Sequence, residues 1–395
     1  MSLAPPSAPV ATPVVPVQRM LLAGLGLLTV VLWVHLAGQS VTQALLLPIG
    51  IGLGISLYHA SFGFTAAYRR AMTEKDLSGL VAQAVMLIVA MSLFAPVLSA
   101  GEIFGHPAGG SVAPVDTAML IGAFLFGIGM QLGGGCASGT LFTVGGGNVR
   151  MMVTLVFFCL GCWLATLNMA DWRALPSLGA YSLGREIGYC PAVAVQTGAL
   201  GLILLALWRT GARIKRPLWQ SGFDLRCLVR GPWPLILGAL GLAVLNFAIL
   251  AVAGHPWGVT WGYTIWAGKV AAAVGWDPAG SAYWSVPWRA DALEGSILSD
   301  HSSLTNIGIL IGAAIAGSLA GKVHPSWRIP LKPLMAAVLG GLMMGYGARL
   351  AYGCNIGAFF SGVASTSLHG WAWIVMAMAG SWIGLRLRPS FRLDG

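Results

Sequence analysis

Long apolar stretches recur along the whole chain and decide the class of fold. At roughly 1.5 Å per residue, a helix of about 18 to 23 residues crosses a bilayer core of about 30 Å. Only 9% of the residues are charged, against roughly a quarter in an average soluble domain. The sequence therefore predicts an all-α polytopic membrane protein and excludes soluble, fibrous, disordered and disulfide-rich secreted classes. Hydropathy predicts about ten spanning helices, near residues 20–37, 42–60, 77–99, 117–134, 149–170, 191–208, 235–254, 305–322, 334–351 and 370–386.

Basic residues fall in alternate loops, which predicts the orientation of the chain. Cytoplasmic loops of membrane proteins carry an excess of Lys and Arg. We therefore expect a multi-pass protein of the inner membrane with both termini cytoplasmic, and with segment 255–275 in the membrane interface. The net charge of +10 is explained by these loops, so no nucleic-acid partner is expected. The basic groups are Arg69, Arg70 and Lys75; Arg209, Arg213, Lys215, Arg216, Arg226 and Arg230; Lys322, Arg328 and Lys332; and Arg386, Arg388 and Arg392.

The chain divides into a leader and one membrane domain. Residues 1–19 are proline-rich and are expected to form a disordered N-terminal leader. Residues 20–388 are expected to form a single transmembrane domain. Within it the sequence predicts a first repeat at about 42–208, a basic cytoplasmic loop at 209–232 and a second repeat at about 233–388.

An internal repeat supports this division. GAFLFGIGMQLGGGCASGTLF at 122–142 and GGLMMGYGARLAYGCNIGAFF at 340–360 align without a gap and share eight identical positions. Two glycine-rich packing helices alike by composition are the alternative explanation. The identical pairs are Gly122 and Gly340, Gly127 and Gly345, Gly129 and Gly347, Leu132 and Leu350, Gly135 and Gly353, Cys136 and Cys354, Gly139 and Gly357, and Phe142 and Phe360.

Each copy continues past its cysteine with a segment too short to cross the membrane. This pattern predicts two re-entrant half-helices, which enter from opposite faces because the preceding spans run in opposite directions, as in inverted-topology repeats. Their N-terminal N–H groups would point at the midplane, beside a thiol. We therefore predict a substrate-binding site at Cys136 and Cys354, with close backbone approach at Gly134, Gly135, Gly139, Gly353 and Gly357.

Arg349 is a further candidate for substrate binding. It lies inside a predicted span, where charges are costly and are functional candidates by default. It is expected to draw anions toward Cys354. The alternative is an arginine that extends to the membrane surface or pairs there.

The other cysteines have structural interpretations. Cys159 and Cys162 lie three residues apart on one helix face and are expected to pack. Cys190 is expected to be structural and Cys227 incidental. The sequence has no His/Cys set with zinc spacing, and neither a metal nor a cofactor is expected.

The motifs resemble those of a known membrane family. Gly-Gly-Gly-Cys-Ala-Ser-Gly, GARLAYGCN at 347–355, SLHGW at 367–371 and LSDHSSLTNIGILIGA at 298–313 are similar to the YeeE/YedE family, over about residues 42 to 388. The resemblance implies an hourglass-shaped importer of thiosulfate in which cysteines pass the anion along by S–H hydrogen bonds. It also implies a cytoplasmic sulfur-carrier protein as a candidate partner.

One family position departs from the pattern. A third family cysteine lies in a stretch similar to SFGFTAAYRR at 61–70, where Gly63 replaces it. Either two cysteines suffice in this chain or the substrate differs from thiosulfate.

These inferences predict a membrane transporter, not an enzyme, that imports a small sulfur-containing anion, thiosulfate or a relative, along a two-cysteine pathway. The alternatives are a selenium-compound transporter, a structural or sensory partner subunit, and a membrane sulfur or selenium transferase that forms a persulfide on Cys136. The transferase requires a base or cation to generate a thiolate. The sequence has no acid or His within ten residues of Cys136.

Overall fold

A computed structural model describes residues 16–219 and 222–393, and these are almost entirely helical. The helices are α1 (Arg19–Ala37), α2 (Val41–His59), α3 (Phe64–Glu74), α4 (Ser78–Ala100), α5 (Thr117–Gly133), α6 (Ala137–Gly145), α7 (Val149–Leu167), α8 (Met169–Arg173), α9 (Leu183–Ile187), α10 (Tyr189–Arg209), α11 (Leu225–Arg230), α12 (Leu235–Ala253), α13 (Thr260–Ala273), α14 (Pro287–Glu294), α15 (His301–Leu319), α16 (Leu331–Leu350), a π-helix (Asn355–Phe360), α17 (Ser361–Ala364) and α18 (Leu368–Leu387). Short 3₁₀ turns are Pro278–Gly280, Ile297–Ser299 and Pro389–Phe391, and the strands are β1 (Glu102–Ile103), β2 (His106–Pro107), β3 (Pro114–Asp116) and β4 (Ser177–Ala180).

Ten segments of the described chain are long and apolar enough to cross a membrane, which confirms the all-α polytopic fold. Three of them continue into a short helix: α2 into α3, α5 into α6, and α16 into the π-helix and α17. The division into two inverted repeats stays a prediction. The expected leader at 1–19 lies mostly outside the described residues, and α1 begins at its last residue, Arg19.

Loops from distant parts of the chain meet at two ends of the bundle. At one end, which we call the basic end, Leu77 N–H donates to the Arg213 carbonyl (2.9 Å), and the Arg216 guanidinium lies 3.4 Å from the buried Asp76 carboxylate. At the other end, which we call the strand end, β3 pairs antiparallel with β4. Two of the predicted cytoplasmic groups of basic residues therefore lie side by side.

Helix α13 covers most of segment 255–275, and it is not one of the ten described segments that are long and apolar enough to cross a membrane. It packs against α7, α15 and α16, whereas Val270 and Val274 near its end are exposed. Trp257, one of the side chains expected in the interface, is 1% exposed, and Tyr263 is fully buried. Two buried side chains hydrogen-bond the backbone just before α13. Trp257 N–H donates to the Asn246 side-chain oxygen, and the Asn306 side-chain amide donates to the Val259 carbonyl.

Small residues allow α5 and α18 to touch backbone to backbone. A Cβ placed on Gly127 would lie 2.1 Å from the Ala377 carbonyl oxygen, and one on Gly380 would lie 2.0 Å from that of Phe124. Close approach of this kind is a usual means of helix association in lipid, where burial of apolar surface gives little driving force.

We expect Gly127→Ala to lower the thermal stability of the purified protein, because its methyl group must displace backbone and overpacking costs about 1–3 kcal/mol. Gly201→Ala on α10 is the matched control, since a Cβ at Gly201 meets nothing within 4 Å. The measurement is the melting temperature in detergent. Equal melting temperatures for the two variants would contradict the packing described here.

Candidate functional site

Cys136 begins a short helix directly after a break in the chain. Helix α5 ends at Gly133, Gly134 takes a left-handed φ of +94°, and Cys136 caps α6. The Cys136 sulfur accepts a hydrogen bond from Gly139 N–H (3.4 Å) and lies 3.5 Å from Ser138 Oγ. At about 1.5 Å per residue the nine residues of α6 are too short to cross a bilayer.

Cys354 has the same arrangement after α16. The chain turns through Tyr352 (φ +59°) and Gly353 (φ +153°), and the Cys354 sulfur accepts from Ile356 N–H (3.4 Å). A side chain at Gly353 is excluded, because its Cβ would lie 2.7 Å from Ala358 N. Each predicted site cysteine is therefore an N-cap whose sulfur lies against backbone amides.

The fold brings the two cysteines into one buried neighbourhood. Cys136 is 1% exposed, Cys354 is fully buried, and both belong to the same apolar core. Helix α6 contacts the π-helix that follows Cys354. Cysteines 218 positions apart in sequence thus lie in one apolar core, at the starts of two short helices that contact each other.

The predicted glycines differ in how much space surrounds them. A Cβ on Gly135 would lie 2.9 Å from the Met151 methyl, and one on Gly139 would lie 3.4 Å from the Cys136 sulfur. For Gly134 the nearest atoms belong to the Arg150 guanidinium, at 3.6 Å, and for Gly357 the nearest atom is 3.9 Å away. Backbone contacts therefore require glycine at 353, and left-handed backbone favours it at 134. A Cβ at 135 would require the flexible Met151 side chain to shift, and Gly357 is surrounded by ordinary space.

Two buried tyrosines, which the sequence reasoning missed, support the short helices. Tyr263 on α13 donates from its hydroxyl to the Ala137 carbonyl (2.9 Å). Tyr68 on α3 accepts from the Asn355 side-chain amide (3.0 Å). Ala137 and Asn355 are the residues that directly follow the two cysteines, so α3 and α13 each bond one of the cysteine-capped helices.

A signal for the tyrosines existed in the sequence. Each lies in a short stretch, FTAAYRR or TWGYT, that follows a full span and is too short to be a span itself. Such stretches have the same length pattern as the segments after the cysteines. No sequence pattern, however, indicates that these tyrosines bond the residues that follow the cysteines.

The remaining cysteines are free thiols, as are Cys136 and Cys354. Cys162 is buried and Cys159 partly buried. Cys190 is exposed and Cys227 partly exposed. Within residues 16–219 and 222–393, His, Cys, Asp and Glu side chains form no group of three that would hold a metal ion.

Arg349 and Gly63 lie toward opposite ends of the bundle, Arg349 at the strand end and Gly63 at the basic end. Arg349 is in the last turn of α16, at the strand end, and lines a cavity of about 510 Å³ together with Arg173 and Arg289. Gly63 caps α3 with an ordinary extended φ of −113°, and a Cβ placed on it would have Ala66 Cβ as its nearest neighbour, at 3.8 Å. A Cβ at 63 would therefore make only ordinary van der Waals contacts.

Comparison with known proteins places the chain among sulfur-compound transporters. A family model described as sulphur transport matches residues 59–383. The thiosulfate transporter TsuA of Spirochaeta thermophila is 27% identical over 355 residues, which cover 85% of this chain and 96% of that relative. The thiosulfate transporter TsuA of Escherichia coli is 23% identical over 360 residues, covering 84% and 91%. The probable transporter YedE of E. coli is 33% identical over 166 residues, covering 41% and 40%.

We expect Tyr263→Phe to destabilise the protein by about 1–3 kcal/mol, because it leaves the buried Ala137 carbonyl without its donor. Tyr181→Phe is the control, since Tyr181 is 51% exposed. Chemical or thermal unfolding in detergent measures the difference. If Tyr263→Phe unfolds at the same point as the wild type, the tyrosine does not hold α6.

Proposed function

The chain belongs to the sulphur transport family, and on that premise we propose that it imports a small sulfur-containing anion, thiosulfate or a close relative, along a path lined by Cys136 and Cys354. The observation that carries this proposal is the meeting of two cysteine-capped short helices in the buried core. The relatives that align with most of the chain are named thiosulfate transporters, which supports the same substrate.

The chemistry of the two caps suits a polarizable anion. Each sulfur accepts a backbone N–H through a lone pair, which leaves its S–H as a donor. At Cys136 the Ser138 hydroxyl lies 3.5 Å from the sulfur, and either group can donate to the other. Hydrogen bonds in a chain polarise one another, which makes the S–H a better donor. A neutral thiol is required, because a thiolate would repel the anion. Thiols are weak donors, and weak successive sites allow release as well as capture.

We propose an order for the path from the distribution of charge. The basic end is cytoplasmic by the excess of Lys and Arg, so both termini are cytoplasmic and the strand end faces outward from the inner membrane. An incoming anion would then meet Arg349 first, Cys354 next and Cys136 after it. It would leave near Gly63 at the basic end, where a sulfur-carrier protein is the proposed acceptor.

The proposal involves transport without covalent chemistry in this chain. The sequence contains no G-x-x-x-x-G-K-[ST] phosphate-binding loop, so we do not expect this chain itself to couple transport to ATP. The backbone amides that follow Gly134 and Gly353, with the thiols, hold the anion by hydrogen bonds alone.

We expect Cys136→Ala and Cys354→Ala each to abolish uptake of labelled thiosulfate into proteoliposomes, because each removes one of the two S–H donors. Cys227→Ala is the control and should transport normally, since Cys227 lies in α11 at a distance in sequence from both caps. Uptake by both single variants at the wild-type rate would refute the two-cysteine pathway.

We expect Gly63→Cys to fold normally and to raise the rate of thiosulfate uptake, because it adds a third S–H donor on the exit side in a space that accepts it. Gly63→Ala is the matched control: it adds a Cβ without a thiol and should leave the rate unchanged. A folded Gly63→Cys protein that is no faster than Gly63→Ala would show that the path ends before position 63.

A further inference from the structure

The cavity at the strand end is lined by three arginines that arrive from separate elements. Arg173 ends α8, Arg289 lies on α14 and Arg349 on the last turn of α16. The volume of about 510 Å³ falls within the range of roughly 300–1,000 Å³ that is usual for small-molecule sites. Of the three, sequence reasoning singled out only Arg349.

The cavity carries positive charge in excess of its acidic partners. Arg173 forms an ion pair with Asp116 (2.9 Å). Within the described parts of the chain, no carboxylate lies within 4.0 Å of the Arg289 or Arg349 guanidinium. Burial lowers the pKa of Arg289, and the positive charges of Arg349 and Arg173 act in the same direction. Two positive charges are therefore left uncompensated beside each other.

Two hydrogen-bond donors in this cluster are buried without an acceptor. They are the Nε–H groups of Arg289 and Arg349. Tyr283 binds the rest of the Arg289 guanidinium. One terminal nitrogen donates to the Tyr283 carbonyl (3.0 Å), and the guanidinium carbon lies 4.0 Å from the centre of the Tyr283 ring. A buried donor without an acceptor costs free energy, and an oxyanion supplies what guanidinium groups bind best.

The wall that carries Arg289 is fixed in place. It belongs to residues 274–300, between α13 and α15. Trp284 Nε1 donates to Thr166 Oγ1 (2.9 Å), and the Lys269 ammonium donates to the carbonyls of Leu293 and Gly295. Arg289 is thus held in position before any ligand arrives, which lowers the cost of binding.

The floor of the cavity leads to the candidate path. Tyr352 lines the cavity and lies two residues before Cys354. Its hydroxyl donates to the Asp116 carboxylate (2.5 Å), and its ring lies 3.9 Å from the Arg173 guanidinium carbon. The arginine cluster and the cysteine cap are therefore joined by one short, hydrogen-bonded turn.

We propose that Arg173, Arg289 and Arg349 form a capture site for a tetrahedral sulfur oxydianion, from which the anion passes to Cys354. This inference rests on the proposed function for its direction of transfer. The uncompensated charge of two positive groups matches a dianion, and positively charged cavities also speed the arrival of anions by electrostatic steering.

Binding and flux together test the capture site. Thiosulfate, sulfate and chloride are titrated against the full-length protein in detergent, and thiosulfate uptake is measured in proteoliposomes. Arg289→Gln should weaken thiosulfate and sulfate binding by about tenfold or more and raise the KM for uptake with kcat retained. Arg349→Gln is the second variant, should Arg289→Gln not fold. Arg185→Gln, an exposed arginine on α9 at the same end, is the control and should match the wild type.

The outcomes separate this inference from the proposed function. Binding of either dianion that depends on Arg289 supports the capture site even if the wild type shows no flux, in which case the proposed transport of thiosulfate fails. Wild-type flux with unchanged binding and KM in Arg289→Gln and Arg349→Gln overturns the capture site and leaves the proposed function standing. A wild type that binds neither dianion, or binds chloride equally well, also overturns the capture site.

Discussion

The bundle has to satisfy backbone polar groups where its helices break in the buried interior, and the rest of the site depends on how it does so. An unpaired N–H or carbonyl in a membrane costs several kcal/mol, so irregular backbone survives there only where protein supplies partners. At the two breaks these partners are the cysteine sulfurs, which accept the amides of Gly139 and Ile356. Tyr263 adds a donor for the Ala137 carbonyl. The groups that complete the helix starts are therefore also the groups proposed to handle the anion.

Charge distribution gives the bundle two different ends. At the basic end, Arg70 of α3 and Arg216 of the loop after α10 lie within 4.0 Å of the buried Asp76 carboxylate, so their charge is partly compensated. At the strand end, Asp116 engages Arg173 and Tyr352, and leaves Arg289 and Arg349 free of carboxylate partners within the described chain. An anion is therefore attracted to the strand end, where Tyr352 of the arginine-lined cavity lies two residues before Cys354. In the proposed path, strong electrostatic capture is followed by weak thiol contacts, an order that concentrates the substrate without trapping it.

Much of the fold was predictable because hydropathy and length alone determine membrane spans. All ten predicted spans correspond to helices, and the Gly-Cys motifs did precede short helices. What could not be predicted were contacts between residues far apart in sequence. Nothing in TWGYT indicates that Tyr263 reaches Ala137, and nothing around Arg289 indicates that a loop helix returns to the end of α16. For the same reason the burial of Trp257 and Tyr263 in segment 255–275 could not be predicted.

The most direct test of the central claim is a structure determined by electron cryo-microscopy in lipid nanodiscs with saturating thiosulfate. We expect density for the anion where α6 contacts the π-helix, in contact with the sulfur of Cys136 or Cys354. Thiosulfate found in a passage that neither cysteine borders would contradict it.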